Sequence, residues 1–233
     1  LRQALTVGEE LLQRAQGSPR RSFDAHAKLG ETFMHLGRFV DARHHLECAL
    51  ALPLSADDPA RLREAPRVLA YLSWVLWYTG CPAQARACGE QALAQGRDAT
   101  RAHTHAFVCG FLAFLFMFLD DKPRARALAE QQLRVSVEHD LNYWRVWSEL
   151  TCDLLEMDVV GDARPEFRLA RLHRSVAAFD AMSAQVGVPH FLCLVGAAEL
   201  AAGRPAQARV AVHAGLAMSA HTGEGLDKLL DAI

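Results

Sequence analysis

The heptapeptide Gly80-Cys81-Pro82-Ala83-Gln84-Ala85-Arg86 returns as Gly203-Arg204-Pro205-Ala206-Gln207-Ala208-Arg209, six of its seven letters unchanged in otherwise different surroundings. A looser copy runs Gly37-Arg38-Phe39-Val40-Asp41-Ala42-Arg43, and a fourth, Asp120-Asp121-Lys122-Pro123-Arg124-Ala125-Arg126, keeps the small residue five places after the turn. The turn positions 37, 80, 120 and 203 are 43, 40 and 83 apart, which sets a period near 41 with one degenerate copy between 120 and 203. Five units follow.

Working outward from the first copy, Leu29-Gly30-x-x-Phe33-x-x-x-Gly37-x-Phe39-x-x-Ala42-x-x-x-Leu46-x-x-Ala49-Leu50 resembles the tetratricopeptide pattern of two antiparallel helices. Gly30 and Ala42 stand where the two helices of the unit approach most closely, and Ala49 where the next unit packs. Larger side chains there would hold the backbones apart. Phe33, Phe39 and Leu46 fill the remaining space, and Gly37 ends the first helix because it adopts the left-handed conformation without penalty.

With 233 residues, 51% of them hydrophobic, the chain is long enough for a continuous core, and its apolar residues recur at three- and four-residue spacing without strand-like alternation. The expected fold is all-α: one right-handed superhelical solenoid of about five helix pairs over 1–233. Units fall at about 22–52, 66–96, 101–138, 141–186 and 189–220, preceded by an amphipathic helix over 2–16. That helix reads as the second half of a preceding unit, and Gly223 to Lys228 as the start of another helix, so the chain reads as a piece of a larger protein. The longest connections, Pro53 to Glu64 and Val159 to Pro165, carry helix-breaking Asp, Pro or Gly.

A net charge of -2 with interspersed signs provides no basic stripe, so nucleic acid is not expected as a partner. The six cysteines show no Cys-x-x-Cys arrangement and read as reduced core residues, pointing to the cytoplasm. The apolar run Ala106 to Leu119 has 14 residues, too short to span a bilayer, and is expected as the central buried helix rather than a membrane insertion.

Three further segments, Tyr71-Leu72-Ser73-Trp74-Val75-Leu76-Trp77, Asn142-Tyr143-Trp144-Arg145-Val146-Trp147 and Gly187-Val188-Pro189-His190-Phe191, occur in that order. In them the chain resembles, over roughly 20 to 220, the tetratricopeptide region of bacterial multidomain signalling ATPases, both those linked to adenylate or guanylate cyclase domains and the LuxR-type regulators. The segment Asp158 to Phe167 carries extra residues relative to that family's short turn. The resemblance implies a regulatory, signal-transducing module. It does not bring catalysis, because the ATPase and cyclase motifs lie outside these residues.

No phosphate-binding loop, dinucleotide fingerprint, His-Glu-x-x-His or nucleophile elbow is present, so no enzyme activity, cofactor or catalytic residue is expected. The close histidine pairs His44-His45 and His103-x-His105 lack the i, i+4 spacing and a third ligand that a metal site needs. Adjacent carboxylates such as Glu9-Glu10, Asp57-Asp58 and Asp120-Asp121 diverge on a helix or cap a turn.

The remaining candidate is the concave face made by the first helix of each unit. Counting from the repeat, it presents Glu31, Met34 and His35, then Arg67, Trp74, Trp77 and Tyr78, then Phe107, Phe114, Met117 and Phe118, then Trp147 and Met157, and finally His190. An open apolar trough of this kind binds a protein or peptide partner, which could include other domains of the same chain, with Arg67 available to an acidic group. Two alternatives stay open: the aromatics pack on one another as core, or the same face closes into a pocket for a small molecule.

Overall fold

The computed structural model describes residues 1–15, 17–55, 58–97, 102–157 and 165–225. Among them eleven helices and no strand occur: α1 (Arg2–Arg14), α2 (Pro19–His35), α3 (Phe39–Ala51), α4 (Pro59–Tyr78), α5 (Pro82–Gly96), α6 (Ala102–Phe118), α7 (Lys122–Glu138), α8 (Asn142–Met157), α9 (Pro165–Ala181), α10 (Val188–Ala201) and α11 (Pro205–Thr222). From α2 onward they form antiparallel pairs, and the even-numbered helices α2, α4, α6, α8 and α10 also pack in succession against one another as an inner layer. The odd-numbered helices form the outer layer, α1 packing on α2 as α3 packs on α4. This is the helical solenoid expected from the repeat.

The recurring heptapeptide is the turn that makes each pair antiparallel. Gly37, Gly80 and Gly203 take φ of 68, 76 and 74°, and Asp120 holds the same left-handed conformation at 56°. In all four copies the turn residue and its successor donate their N–H groups back to the end of the first helix. The pairs are Gly37 to Met34 O and Arg38 to Phe33 O (3.0 and 2.9 Å), and Gly80 to Trp77 O and Cys81 to Leu76 O (3.0 and 2.8 Å). The same bonds recur from Asp120 to Met117 O and Asp121 to Phe116 O (3.1 and 2.8 Å), and from Gly203 to Leu200 O and Arg204 to Glu199 O (3.0 and 2.9 Å). Two otherwise orphaned carbonyls are thereby satisfied at each helix end. Pro82 and Pro205 then open the second helices at the first-turn position, where a missing N–H costs nothing.

Close crossings sit where the small residues predict them. A Cβ on Gly30 would lie 2.5 Å from Leu46 Cγ and 3.3 Å from Ala42 O. Ala42, Ala85, Ala125 and Ala208, each five places after its turn residue, are all buried. Ala42→Leu is therefore expected to destabilise the chain by about 1–3 kcal/mol through overpacking, whereas Val40→Leu, at a position 79% exposed, should melt with the wild type. Equal melting temperatures for the two variants would overturn this register. Asp57, one of the adjacent carboxylates noted in the sequence, lies outside the described residues.

Several boundaries differ from the sequence expectation. Helix α2 starts at Pro19 rather than 22, because Ser18 accepts the Arg21 N–H at 3.4 Å as an N-cap. Helix α4 starts at Pro59 rather than 66 and carries Pro66 inside it. The preceding loop is tied by the Arg61 guanidinium, which donates to Leu52 O and Leu54 O at 3.4 and 3.3 Å. Helix α9 stops at Ala181 rather than 186, since Ser183 turns left-handed with φ of 55° and Ala184 N–H returns to Phe179 O. The extra residues between α8 and α9, and the tail beyond Gly225, lie outside the described residues.

Helix α6 is the centre of the array. Its residues from Ala106 to Phe116 are all buried, as a helix flanked by units on both sides and an outer helix behind must be. No helix among the described residues is long and apolar enough to cross a membrane. The six cysteines are unpaired, and burial pushes the Cys88 and Cys109 thiols up to about 12.

Candidate functional site: the inner aromatic face

The inner helices bring the predicted aromatics together, and the curl of the solenoid decides which of them water reaches. Trp74, Tyr78, Phe107, Phe114, Trp147 and His190 are each at most 9% exposed. Phe114 touches rings from three other inner helices: Trp74 at 6.1 Å, Trp147 at 5.7 Å and both His190 and Phe191 at 5.9 and 6.0 Å. His190 of the fifth unit also reaches Trp74 of the second, 5.8 Å between ring centroids, so the superhelix curls tightly enough to fill its own inner face. Of the two packing alternatives left open by the sequence, these six residues take the core. Trp74 satisfies its indole by donating Nε1–H to Phe111 O at 2.7 Å.

A strip of half-buried residues borders this core at the turn end. Trp77 and Met117 share one repeat phase, and Tyr78 and Phe118 the next. Trp77 stacks on Phe118 at 4.6 Å with an interplanar angle of 22°. Met117 lies beside them, also half-buried. At the other end Arg67 lies over the Phe107 ring at 4.6 Å and 3.8 Å from the Glu64 carboxylate. Glu31 is close to it: burial raises the Glu31 pKa, but Lys28, Arg67 and His35 outweigh that and hold it below the usual value. Arg67 is thus already neutralised in part by two carboxylates of its own chain. Met34 is buried, while His35 and Met157 are half-buried.

At its centre the inner face leaves a small cavity of about 30 Å³ lined by Met34, His35, Trp74, Tyr78, Trp147 and His190 among others. Tyr78 Oη, Trp147 Nε1 and His190 Nε2 are buried there without a hydrogen-bond partner. Burial pushes His190 down to about 4, so its ring is neutral at physiological pH.

Of the histidine pairs singled out in the sequence, His44 and His45 keep their rings edge to face at 5.3 Å, while His45 makes its polar contact with His26, Nδ1 to Nδ1 at 2.9 Å. His105 meets Gln131 at 2.8 Å, and His103 packs its edge on Trp144. No group of three metal-ligating side chains comes together among the described residues. Sequence reasoning missed Phe111, which joins the cluster at 4.2 Å from Phe107 and 5.4 Å from Trp147. Its signal was present, since it stands nine residues before Asp120 as Tyr71 stands nine before Gly80.

Also missed were two buried carboxylates, Asp153 and Glu199, at 1% and 0% exposure. Asp153 pairs with Arg171 at 3.0 Å between α8 and α9. Glu199 pairs with His173 at 2.6 Å and Arg204 at 3.1 Å, bridging α9, α10 and the start of α11. These partners make each carboxylate a clamp between helices.

No family model matches the chain, and no curated protein matches it in sequence. Among solved structures it is similar to the apo form of RapI, with a TM-score of 0.54 and 13% identity over 97% of this chain. It spans 61% of the RapI chain. It is also similar to the nearly identical TPR-like repeats of a putative kinesin light chain from Podospora anserina, with a TM-score of 0.51, 18% identity, and 88% and 97% of the two chains covered. At these identities the likeness is one of fold, and it agrees with the internal repeat: the chain is an all-helical solenoid of tetratricopeptide-like units.

Proposed function

We propose that this is a non-catalytic protein-interaction domain that takes a protein or peptide segment along the turn-side edge of its inner face. The observation that carries the reading is the stacked, half-buried pair Trp77 and Phe118, which continues the buried aromatic cluster out to water with Met117 beside it. Aromatic side chains on a rigid support, part desolvated beforehand, concentrate binding energy at little entropic cost. The buried members Trp74, Tyr78, Phe107, Phe114, Trp147 and His190 act as that support. Arg67 would meet an acidic group of the partner only by exchanging it for Glu64 or Glu31.

The sequence resemblance suggests where such a domain serves: beside an ATPase or cyclase module of a signalling protein, passing on occupancy as a change in superhelical curvature. A small molecule on the same face is the competing reading. A cavity of about 30 Å³ holds a water rather than a ligand, which favours the peptide.

The test is selection of a random-peptide display library on the purified chain, followed by affinity measurements on variants. Trp77→Ala is expected to keep the helical circular dichroism and to weaken the selected peptides about 30-fold, equivalent to about 2 kcal/mol. Val210→Ala, on the outer layer and 70% exposed, should bind as the wild type does. Binding indifferent to Trp77, or loss of the fold in Trp77→Ala, would move the site elsewhere.

A further inference from the structure

The inner face is partly occupied by the chain's own C-terminal turn. Helix α11 ends at Gly223, whose φ of 79° is left-handed and reverses the chain. The next two residues then cross from the last unit to the first. Gly225 donates its N–H to His35 O, at the end of α2, at 2.9 Å. It fits so closely that a Cβ there would lie 2.5 Å from Leu36 O and 2.8 Å from Gly37 Cα. Only glycine passes at this point without moving backbone.

Between these anchors Glu224 is 8% exposed. Its carboxylate accepts the N–H of Gly187, the N-cap residue of α10, at 3.3 and 3.4 Å, and the Thr222 hydroxyl at 3.2 Å. Its carbonyl accepts the Ser219 hydroxyl at 2.6 Å. A carboxylate at this end of a helix is favoured by the unpaired N–H groups and the helix dipole. Glu224 lines the same cavity as Tyr78, Trp147 and His190, whose buried polar atoms it leaves without partners. The cavity thus holds a carboxylate, a backbone N–H and three further hydrogen-bonding atoms that the resident segment does not use.

We propose that Thr222 to Gly225 is a built-in occupant of the inner face, and that the external ligand is a peptide carrying a carboxylate between small residues, which takes the place of Glu224 when that segment leaves. This rests on the reading of the inner face as a peptide site and names both its ligand and its restraint. The partner is peptide rather than a simple acid because two of the resident contacts, to His35 O and from Ser219, are made by the N–H and the carbonyl of the one peptide bond that joins Glu224 to Gly225. In a solenoid each unit otherwise touches only its neighbours. The contact joining the last unit to the first therefore adds to the His190–Trp74 packing in holding the curl closed, and its release couples ligand entry to a change in curvature.

The test uses a fluorescein-labelled peptide of the chain's own segment, Ser-Ala-His-Thr-Gly-Glu-Gly, and its counterpart with Gln in place of Glu, titrated by anisotropy into the full chain. Gly225→Val drives a side chain into the Leu36 backbone and ejects the segment, and it should bind the Glu peptide at least tenfold more tightly than the wild type does. The Gln peptide should bind that variant at least tenfold more weakly. Glu224→Ala, which leaves the backbone contacts intact, guards against misfolding of the first variant and should show a smaller gain of the same sign.

Equal binding by wild type and both variants, equal binding of the two peptides, or no binding at all would overturn the proposal. The broader reading fails separately. If library peptides still depend on Trp77 while the heptapeptide binds nothing, the groove stands and the built-in occupant does not.

Discussion

Phe114→Ala is expected to cost about 3–5 kcal/mol and to lower the melting temperature by roughly 10 °C. The side chain is fully buried and meets rings from α4, α8 and α10 as well as Phe118 of its own helix. Removing it opens a cavity where four units converge, and rigid aromatic neighbours collapse into such a space poorly. Against a typical total stability of about 5–15 kcal/mol, that is a large fraction. The comparison with Trp77→Ala gives the measurement its meaning. Both residues were drawn from the same predicted face, yet Phe114 should register in thermal unfolding and Trp77 mainly in binding. A Phe114→Ala protein melting within about 2 °C of the wild type would show that the inner face is open rather than packed.

Arg204→Ala and Glu199→Leu are expected to move stability in different directions from one ion pair. Glu199 is fully buried, while Arg204 and His173 are 38% and 51% exposed. Truncating Arg204 leaves the carboxylate in the core with His173 as its remaining partner. The loss should be about 3 kcal/mol, at the low end for a broken buried pair because the lost partner is partly hydrated. Replacing Glu199 itself removes the costly group and lets the Arg204 and His173 side chains return to water. The same repeat phase carries Phe33, Leu76 and Phe116 in other units, all buried, so a Leu fits the space. Glu199→Leu should therefore unfold at the wild-type denaturant midpoint or above it. A midpoint lower than that of Arg204→Ala would mean that the carboxylate, not the site it fills, supports the fifth unit.

The repeat was legible because each of its letters answers a local demand. A left-handed residue must end the first helix at 37, 80, 120 and 203, and only Gly, or at cost Asp, serves. Five places on, Ala alone lets the second helix approach. The boundary errors have equally local causes. Pro66 reads as a helix breaker but is tolerated within α4, a turn and more after its start at Pro59. The α9 terminus falls at Ser183, a residue whose sequence does not announce a positive φ. The role of Glu199 was illegible for another reason. A lone carboxylate in an apolar helix shows its partners only once α9 and α11 are folded beside it.

By itself, the sequence determined the helix pairs, their period, the crossings and the phase that puts Trp74, Trp77, Phe114, Trp147 and their neighbours on one face. These follow from contacts within a unit or between adjacent units, where spacing along the chain is spacing in space. Which members of that face are covered was decided only by the tertiary structure. Curvature accumulates from small rotations between successive units, and no single unit encodes it. Its sum brings His190 against Trp74 and Gly225 against His35. Contacts between positions 116 and 190 residues apart in the chain leave no periodic mark in it, which is why the packed core, the strip at Trp77 and Phe118, and the occupant Glu224 appear only in the folded molecule.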